Sequence, residues 1–144
     1  MATEAAEVRQ RIGSDWSPAR WYLLVSGVVL LLLGGLGFAL NTSFPTSSAD
    51  FGDSAHLFGL FETNGWHNAA ALGSGFLALG FAVEERWSRL GAFVKGALYV
   101  AVTTALFVTE PGTLLVASNA ADQVLHSALA VGGIATGLAT PRRR

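Results

Sequence analysis

Long stretches with almost no charged side chains are the feature that most constrains this fold. Four segments each contain at most one Asp, Glu, Lys or Arg: Trp21–Ala49, Thr63–Val83, Leu90–Thr109 and Pro111–Pro141. About 20 apolar residues of helix cross the hydrocarbon core of a bilayer. Because lipid offers no water to the backbone, a crossing segment of this kind has to be a helix. We therefore predict an all-α membrane protein with four transmembrane helices.

Composition agrees with this fold class. Charged residues make up 13% of the chain, well below the roughly 25% that is usual in soluble domains. At 144 residues the chain has room for one domain. We predict a cytoplasmic segment at 1–20, a helical domain at 21–140 and a basic tail at 141–144. The predicted spans are 21–40, 64–83, 90–109 and 119–139. The absence of cysteine rules out disulfides and thiolate metal ligands.

The basic residues predict how the chain is oriented. Their distribution falls into three groups of three: Arg9, Arg11 and Arg20, then Arg86, Arg89 and Lys95, then Arg142, Arg143 and Arg144. Lys and Arg are enriched in cytoplasmic loops. We therefore predict a multi-pass protein of the plasma (inner) membrane with both termini in the cytoplasm. Lys95 lies near the start of the third span, so its side chain is expected to reach back to the headgroups.

Two polar motifs interrupt the apolar segments. Four side chains of the fourth span share one helix face by their i, i+3, i+4, i+7 spacing: Asn119, Asp122, Gln123 and His126. A shorter version in the second span consists of Asn64, His67 and Asn68. Both asparagines are good helix N-caps, and Asp122 has the spacing of a capping box. His126 lies one helical turn further on, where it is expected to pair with Asp122.

The two halves of the sequence also resemble each other. Arg20, Gly27 and Phe38 match residues 69 positions later, and Asn64 and His67 match Asn119 and Asp122 at an offset of 55. The longer first outer loop accounts for the difference between the two offsets. Each predicted hairpin begins inside and crosses twice, so the halves are expected to be two tandem parallel helical-hairpin repeats.

Two smaller features carry expectations. The second half of the first outer loop, residues 51–61, is rich in phenylalanine and is expected at the outer interface, with a short helix as one form it can take. Gly133 and Gly137 form a GxxxG pair, which indicates a helix-packing face.

The polar motifs carry a family resemblance. Trp21-Tyr22 opens a leucine- and glycine-rich helix, Leu57-Phe58-Gly59-Leu60-Phe61 leads into Asn64-x-x-His67-Asn68, and Asn119-x-x-Asp122-x-x-x-His126 follows. This chain resembles the small four-helix bacterial membrane proteins catalogued as domain of unknown function 4383. The resemblance implies a multi-pass membrane protein without an established activity. Relative to the family motif, Ala71 replaces the last histidine of the first copy, and Gln123 replaces an asparagine in the second.

The two motifs together form a polar cluster that is compatible with several functions: Asn64, His67, Asn68, Asn119, Asp122, Gln123 and His126. His67, Asp122 and His126 are candidate ligands for a divalent metal. Together with the polar cluster's four amide side chains, they are also candidates to line a pocket for a proton-coupled or polar solute. A haem between the two histidines is a weaker variant. We favour a structural hydrogen-bond network in a non-enzymatic accessory or interaction subunit that has no cofactor. Its predicted partner is the bilayer, with a second copy or another membrane protein as a further possibility and no nucleic acid.

Overall fold

The computed structural model describes residues 16–47, 54–109 and 114–142. This part of the chain folds into four helices and one β-hairpin. The elements are α1 (Pro18–Leu40), β1 (Ala55–Leu57), β2 (Phe61–Thr63), α2 (Gly65–Ala82), α3 (Glu85–Val108) and α4 (Ala120–Ala139). Each helix coincides with one of the four apolar segments, so the prediction of a helical bundle is confirmed.

Local chemistry explains where the first and third helices begin. Ser17 caps α1 by accepting a hydrogen bond from the Arg20 backbone N–H at 3.2 Å, with Pro18 in the first turn. Helix α3 begins at Glu85, five residues before the predicted span. Glu and Arg favour helices, and a carboxylate in the first turn interacts favourably with the helix dipole, so the helix continues beyond the apolar stretch.

Two of the described helices, α1 and α3, are long and apolar enough to cross a membrane. Helices α2, of 18 residues, and α4, of 20 residues, are shorter and carry the polar motifs in their first turns. The polar motifs therefore distinguish the second helix of each hairpin from the first.

Close helix packing builds two hairpins, α1 with α2 and α3 with α4. Glycines make this approach possible. A Cβ atom on Gly27 would lie 3.2 Å from the Gly75 carbonyl oxygen, and one on Gly96 would lie 3.2 Å from the Ala130 carbonyl oxygen. Gly133 of the predicted packing pair faces the backbone of α3, and Gly137 faces the Phe93 ring. The predicted packing face is therefore confirmed.

The two hairpins contact each other through α1 and α3, and through the pairs α1–α4 and α2–α3. A buried apolar cluster lies where they meet: Leu30, Ala71, Tyr99, Leu129 and Ala130. We call the end of the bundle where α2 and α4 begin the motif end, and the end where α1 and α3 begin the arginine end.

The β-hairpin corrects the expectation of a short helix in the first outer loop. Leu57 pairs with Phe61 and Ala55 with Thr63 in an antiparallel ladder. The turn between the strands has positive φ values at Phe58 (57°) and Gly59 (69°). Phenylalanine rarely adopts this conformation, so Gly59 was the one turn-forming residue between the strands and too weak a signal to predict a hairpin. Residues 51–53 of the expected helix lie outside the described residues, and the all-α prediction has to be amended by this hairpin.

The glycine contacts predict a large difference between two alanine substitutions. In Gly133→Ala the new methyl group would lie 2.7 Å from the Ala92 carbonyl oxygen, so backbone has to move. We expect this variant to lose about 1–3 kcal/mol of stability, the usual cost of overpacking. Gly35 has no neighbouring atom within 4 Å of the added methyl group, so Gly35→Ala should unfold at or above the parent temperature. Thermal unfolding in detergent measures both, and equal midpoints for the two variants would contradict the packing described here.

Candidate functional site

The site is built from the two asparagines that cap α2 and α4. Asn64 Oδ1 accepts a hydrogen bond from the His67 backbone N–H at 2.9 Å. Asn119 Oδ1 accepts from the Ala121 and Asp122 N–H groups, and the Asp122 carboxylate accepts from the Asn119 N–H at 2.9 Å. The predicted N-caps and the predicted capping box are confirmed. These bonds satisfy helix N–H groups that have no partner within the helix.

The same asparagines also bind the opposite hairpin. Asn64 Nδ2 donates to the Leu115 carbonyl oxygen at 2.9 Å, and Asn119 Nδ2 donates to the Leu60 carbonyl oxygen at 2.8 Å. Leu60 and Leu115 each stand four residues before their own cap. The two bonds are therefore reciprocal, and each asparagine holds the segment that leads into the other.

The residue three positions after each cap repeats this arrangement. His67 Nδ1 lies 2.7 Å from the Ala117 carbonyl oxygen and 2.9 Å from that of Glu62. Because both neighbours are acceptors, Nδ1 carries the proton and donates. Asp122 Oδ2 accepts from the Glu62 N–H at 3.1 Å. We call Asn64, His67, Asn119 and Asp122, with the loop backbone groups they bind, the clasp.

Three of the seven predicted site residues lie outside the clasp: Asn68, Gln123 and His126. Asn68 donates to the Asn41 carbonyl oxygen at 2.9 Å and accepts from the Thr63 hydroxyl, so it ties the end of α1 to the start of α2. The Gln123 side chain makes no hydrogen bond within the described residues, where its Oε1 is buried without a partner. Of the seven predicted residues, the hydrogen bonds at the motif end therefore connect five and leave out Gln123 and His126.

His126 does not form the expected pair with Asp122. The carboxylate is directed at the backbone N–H groups of Asn119 and Glu62 instead, because capping its own helix and binding the loop use its acceptor oxygen. The His126 ring lies 5.7 Å from the His67 ring and 5.4 Å from the Tyr99 ring, measured between centroids. Its side chain is 6% exposed, and its Nδ1 atom has no hydrogen-bond partner among the described residues.

Beneath the clasp is a cavity of about 200 Å³ that all four helices and the β-hairpin line. Its walls are mainly aliphatic, with His126, Tyr99 and Ser74 among the polar residues. The Tyr99 hydroxyl donates to Ser74 Oγ at 3.1 Å. Sequence reasoning missed Tyr99, since one aromatic residue within an apolar segment gives no signal of a site.

Lys95 also differs from its prediction. Instead of reaching the headgroup region, its side chain is 2% exposed, and Nζ lies 5.8 Å from the Tyr22 ring centroid and 5.9 Å from that of Tyr99. Within the described residues Nζ has no hydrogen-bond partner. The helix spacing explains the burial, because Lys95 shares a face of α3 with Ala92 and Tyr99, three residues before and four after.

The predicted metal ligands are not arranged as a metal site. Among residues 16–47, 54–109 and 114–142, no group of three or more His, Cys, Asp or Glu side chains is positioned to hold a metal ion. His67 and Asp122 are engaged with backbone groups of the loops. In the described part of the chain, then, these residues serve as hydrogen-bonding groups.

Comparison with known proteins identifies the family of this chain. A family model described as a domain of unknown function, DUF4383, matches residues 20–139. The chain belongs to the DUF4383 family. Searches of the curated proteins and of the solved structures found no match. In this DUF4383 chain the matched region contains both polar motifs and all four helices, apart from the first residues of α1.

The hydrogen bonds of Asp122 predict how it responds to loss of its charge. Asp122→Asn keeps the shape and one acceptor oxygen, so we expect a modest loss of about 1 kcal/mol in the free energy of unfolding. Thermal unfolding in detergent, with zinc and with a chelator, measures this loss, which should be the same in both. The matched control is Glu84→Gln, whose carboxylate is exposed at the arginine end and should contribute little. A zinc-dependent rise in the parent that the Asp122 variant lacks would contradict this result.

Proposed function

We propose that this chain is a four-span protein of the plasma membrane, with both termini in the cytoplasm, that acts as a non-enzymatic structural or accessory subunit. The observation that carries the proposal is the clasp, in which two hairpins bind each other through the same contacts made twice. On this proposal the motif end faces outward and the arginine end faces the cytoplasm.

Equivalent contacts at the arginine end support a tandem repeat. Arg20 Nε donates to the Ala82 carbonyl oxygen at 2.9 Å, and Arg89 Nε donates to the Gly137 carbonyl oxygen at 3.0 Å. The arginines are 69 residues apart and their acceptors 55, the offsets found in the sequence. In each hairpin the first helix therefore supplies an arginine that satisfies a carbonyl at the end of the second.

The surface of the bundle supports insertion in lipid. Large apolar side chains are exposed on every helix, among them Leu32 (59%), Phe76 (65%), Phe107 (68%) and Val131 (67%). Soluble monomers rarely expose large contiguous apolar patches, whereas a bilayer covers such side chains. The proposed partner of this surface is therefore the bilayer.

The hydrogen bonding at the motif end favours a structural role over catalysis. The asparagine amides, the His67 Nδ1 proton and the Asp122 Oδ2 atom are directed at backbone groups. A catalytic base needs a free position within hydrogen-bonding distance of a substrate proton. In this network the polar atoms named here are already engaged in holding the loops.

Cysteine labelling tests the topology, since the chain has no cysteine of its own. We expect a membrane-impermeant maleimide to label Phe58→Cys and Leu114→Cys in intact spheroplasts. Glu84→Cys and Pro141→Cys should react only after the membrane is permeabilised. If only α1 and α3 crossed the membrane, Glu84→Cys would react in intact cells, and the four-span proposal would be wrong.

Serine substitutions test the clasp without removing the helix caps. Serine is also a good N-cap but is too short to reach the opposite loop, so Asn64→Ser and Asn119→Ser each remove one bond between the hairpins. We expect each to lower stability by about 0.6–1.5 kcal/mol. Their combined effect should depart from additivity, because the two bonds belong to one network. Thermal unfolding in detergent measures this, with Ser43→Ala as a control outside the clasp. Variants as stable as the parent would refute the clasp as the element that joins the hairpins.

A further inference from the structure

The cavity beneath the clasp exists partly because the two halves differ at one position. Ala71 stands 55 residues before His126, the same offset that relates the clasp residues. Both residues line the cavity, and Ala71 is 7% exposed. A methyl group on one side and an imidazole on the other leave space that a second imidazole would fill.

The polar chemistry of the cavity wall is concentrated at His126. Tyr99 is bonded to Ser74, Asn68 to Thr63 and Asn41, and His67 to two carbonyl groups. Two carboxylates also line the cavity: Asp122 accepts from the Asn119 and Glu62 N–H groups, and Glu62 accepts from the Ser54 hydroxyl. The His126 side chain makes no hydrogen bond within the described residues, and its Nδ1 is buried. A buried polar group without a partner destabilises the folded state. One hydrogen-bonding group on a bound molecule would remove that destabilisation, and the rest of the molecule would have to be apolar.

The volume of the cavity and the aromatic rings around His126 further restrict which ligands would fit. An engineered apolar cavity of about 150 Å³ holds benzene, so about 200 Å³ accommodates one substituted ring. The ring spacings of 5.4 Å and 5.7 Å around His126 are within the range of favourable aromatic packing. A neutral imidazole offers one donor and one acceptor, and a hydroxyl group can satisfy either.

We propose that this cavity binds a single aromatic ring carrying a hydroxyl group, which His126 recognises by a hydrogen bond and Tyr99 by ring contact. This goes beyond the structural role proposed above and rests only on the proposal that the bundle lies in a membrane. The shared chemistry is phenolic, and the ring can come from a free phenol or from the head of a lipid-soluble quinol.

Binding of p-cresol and p-xylene to the parent protein in lipid nanodiscs tests the proposal. The two molecules have nearly the same shape, and only p-cresol carries a hydroxyl group. By saturation-transfer NMR titration we expect p-cresol to bind roughly tenfold more tightly, the value of one hydrogen bond to a group otherwise unpaired. Equal affinities would show that the cavity is only an apolar void and would overturn the proposal, as would the absence of binding by either molecule.

Three variants locate the binding. Ala71→Leu fills the cavity and should abolish binding of both molecules. His126→Phe keeps a ring but removes both nitrogen atoms, so the preference for p-cresol should disappear while p-xylene still binds. Val131→Leu changes an exposed side chain on the same helix as His126 and should leave both affinities unchanged. A retained preference in His126→Phe would overturn the assignment to His126. The comparison on the parent protein stands even where a variant fails to fold.

A quinol with a short alkyl tail distinguishes the two sources. If the quinol binds at least as tightly as p-cresol, the ring comes from the lipid phase. The alkyl tail of the quinol would then extend out of the cavity between the helices and into the lipid. If p-cresol binds and the quinol does not, the site takes free phenols. Either result supports a phenolic site. If neither p-cresol nor the quinol binds, the phenolic site is refuted, whereas the hydrogen bonds of the clasp are unaffected.

Discussion

Backbone groups at the ends of helices must find partners where water is scarce, and this requirement organises the whole bundle. Asn64 and Asn119 each meet it for the first turn of their own helix. Because an asparagine has a donor as well as an acceptor, the same side chain also satisfies a carbonyl group in the opposite hairpin. Helix capping and assembly of the two hairpins therefore depend on the same two side chains, capping on their Oδ1 atoms and assembly on their Nδ2 atoms.

At the arginine end, side chains donate hydrogen bonds to carbonyl groups at the ends of helices. The carbonyl groups at the ends of α2 and α4 lack partners within their helices, and Arg20 and Arg89 donate to them from the neighbouring helix. Glycines between these two ends bring the helices close enough for the arginines to reach. Each hairpin is thus closed at the arginine end by itself and at the motif end by the other hairpin.

Ionisable side chains occur at pairs of equivalent positions where the two halves differ. His67 and Asp122 occupy equivalent positions, and one donates to the opposite loop while the other accepts from it. At another pair of positions, Ser26 corresponds to Lys95, which is buried between two tyrosine rings. Cation–π contacts contribute about 0.5–2 kcal/mol, whereas desolvating an ammonium group costs several. Lys95 is therefore a net cost to folding, which the remaining packing has to offset.

The sequence by itself determined the helices and the capping residues, because hydropathy and asparagine capping act over a few neighbouring residues. Five of the seven predicted site residues join the hydrogen bonds at the motif end for the same reason, since their spacing places them on the first turns of two helices. Only the tertiary structure decided which backbone groups they bind, because Leu60, Glu62, Leu115 and Ala117 take part through main-chain atoms that every residue has. It also decided the β-hairpin, the burial of Lys95 and the freedom of His126, since each depends on which element packs opposite, and that information lies at long range along the chain.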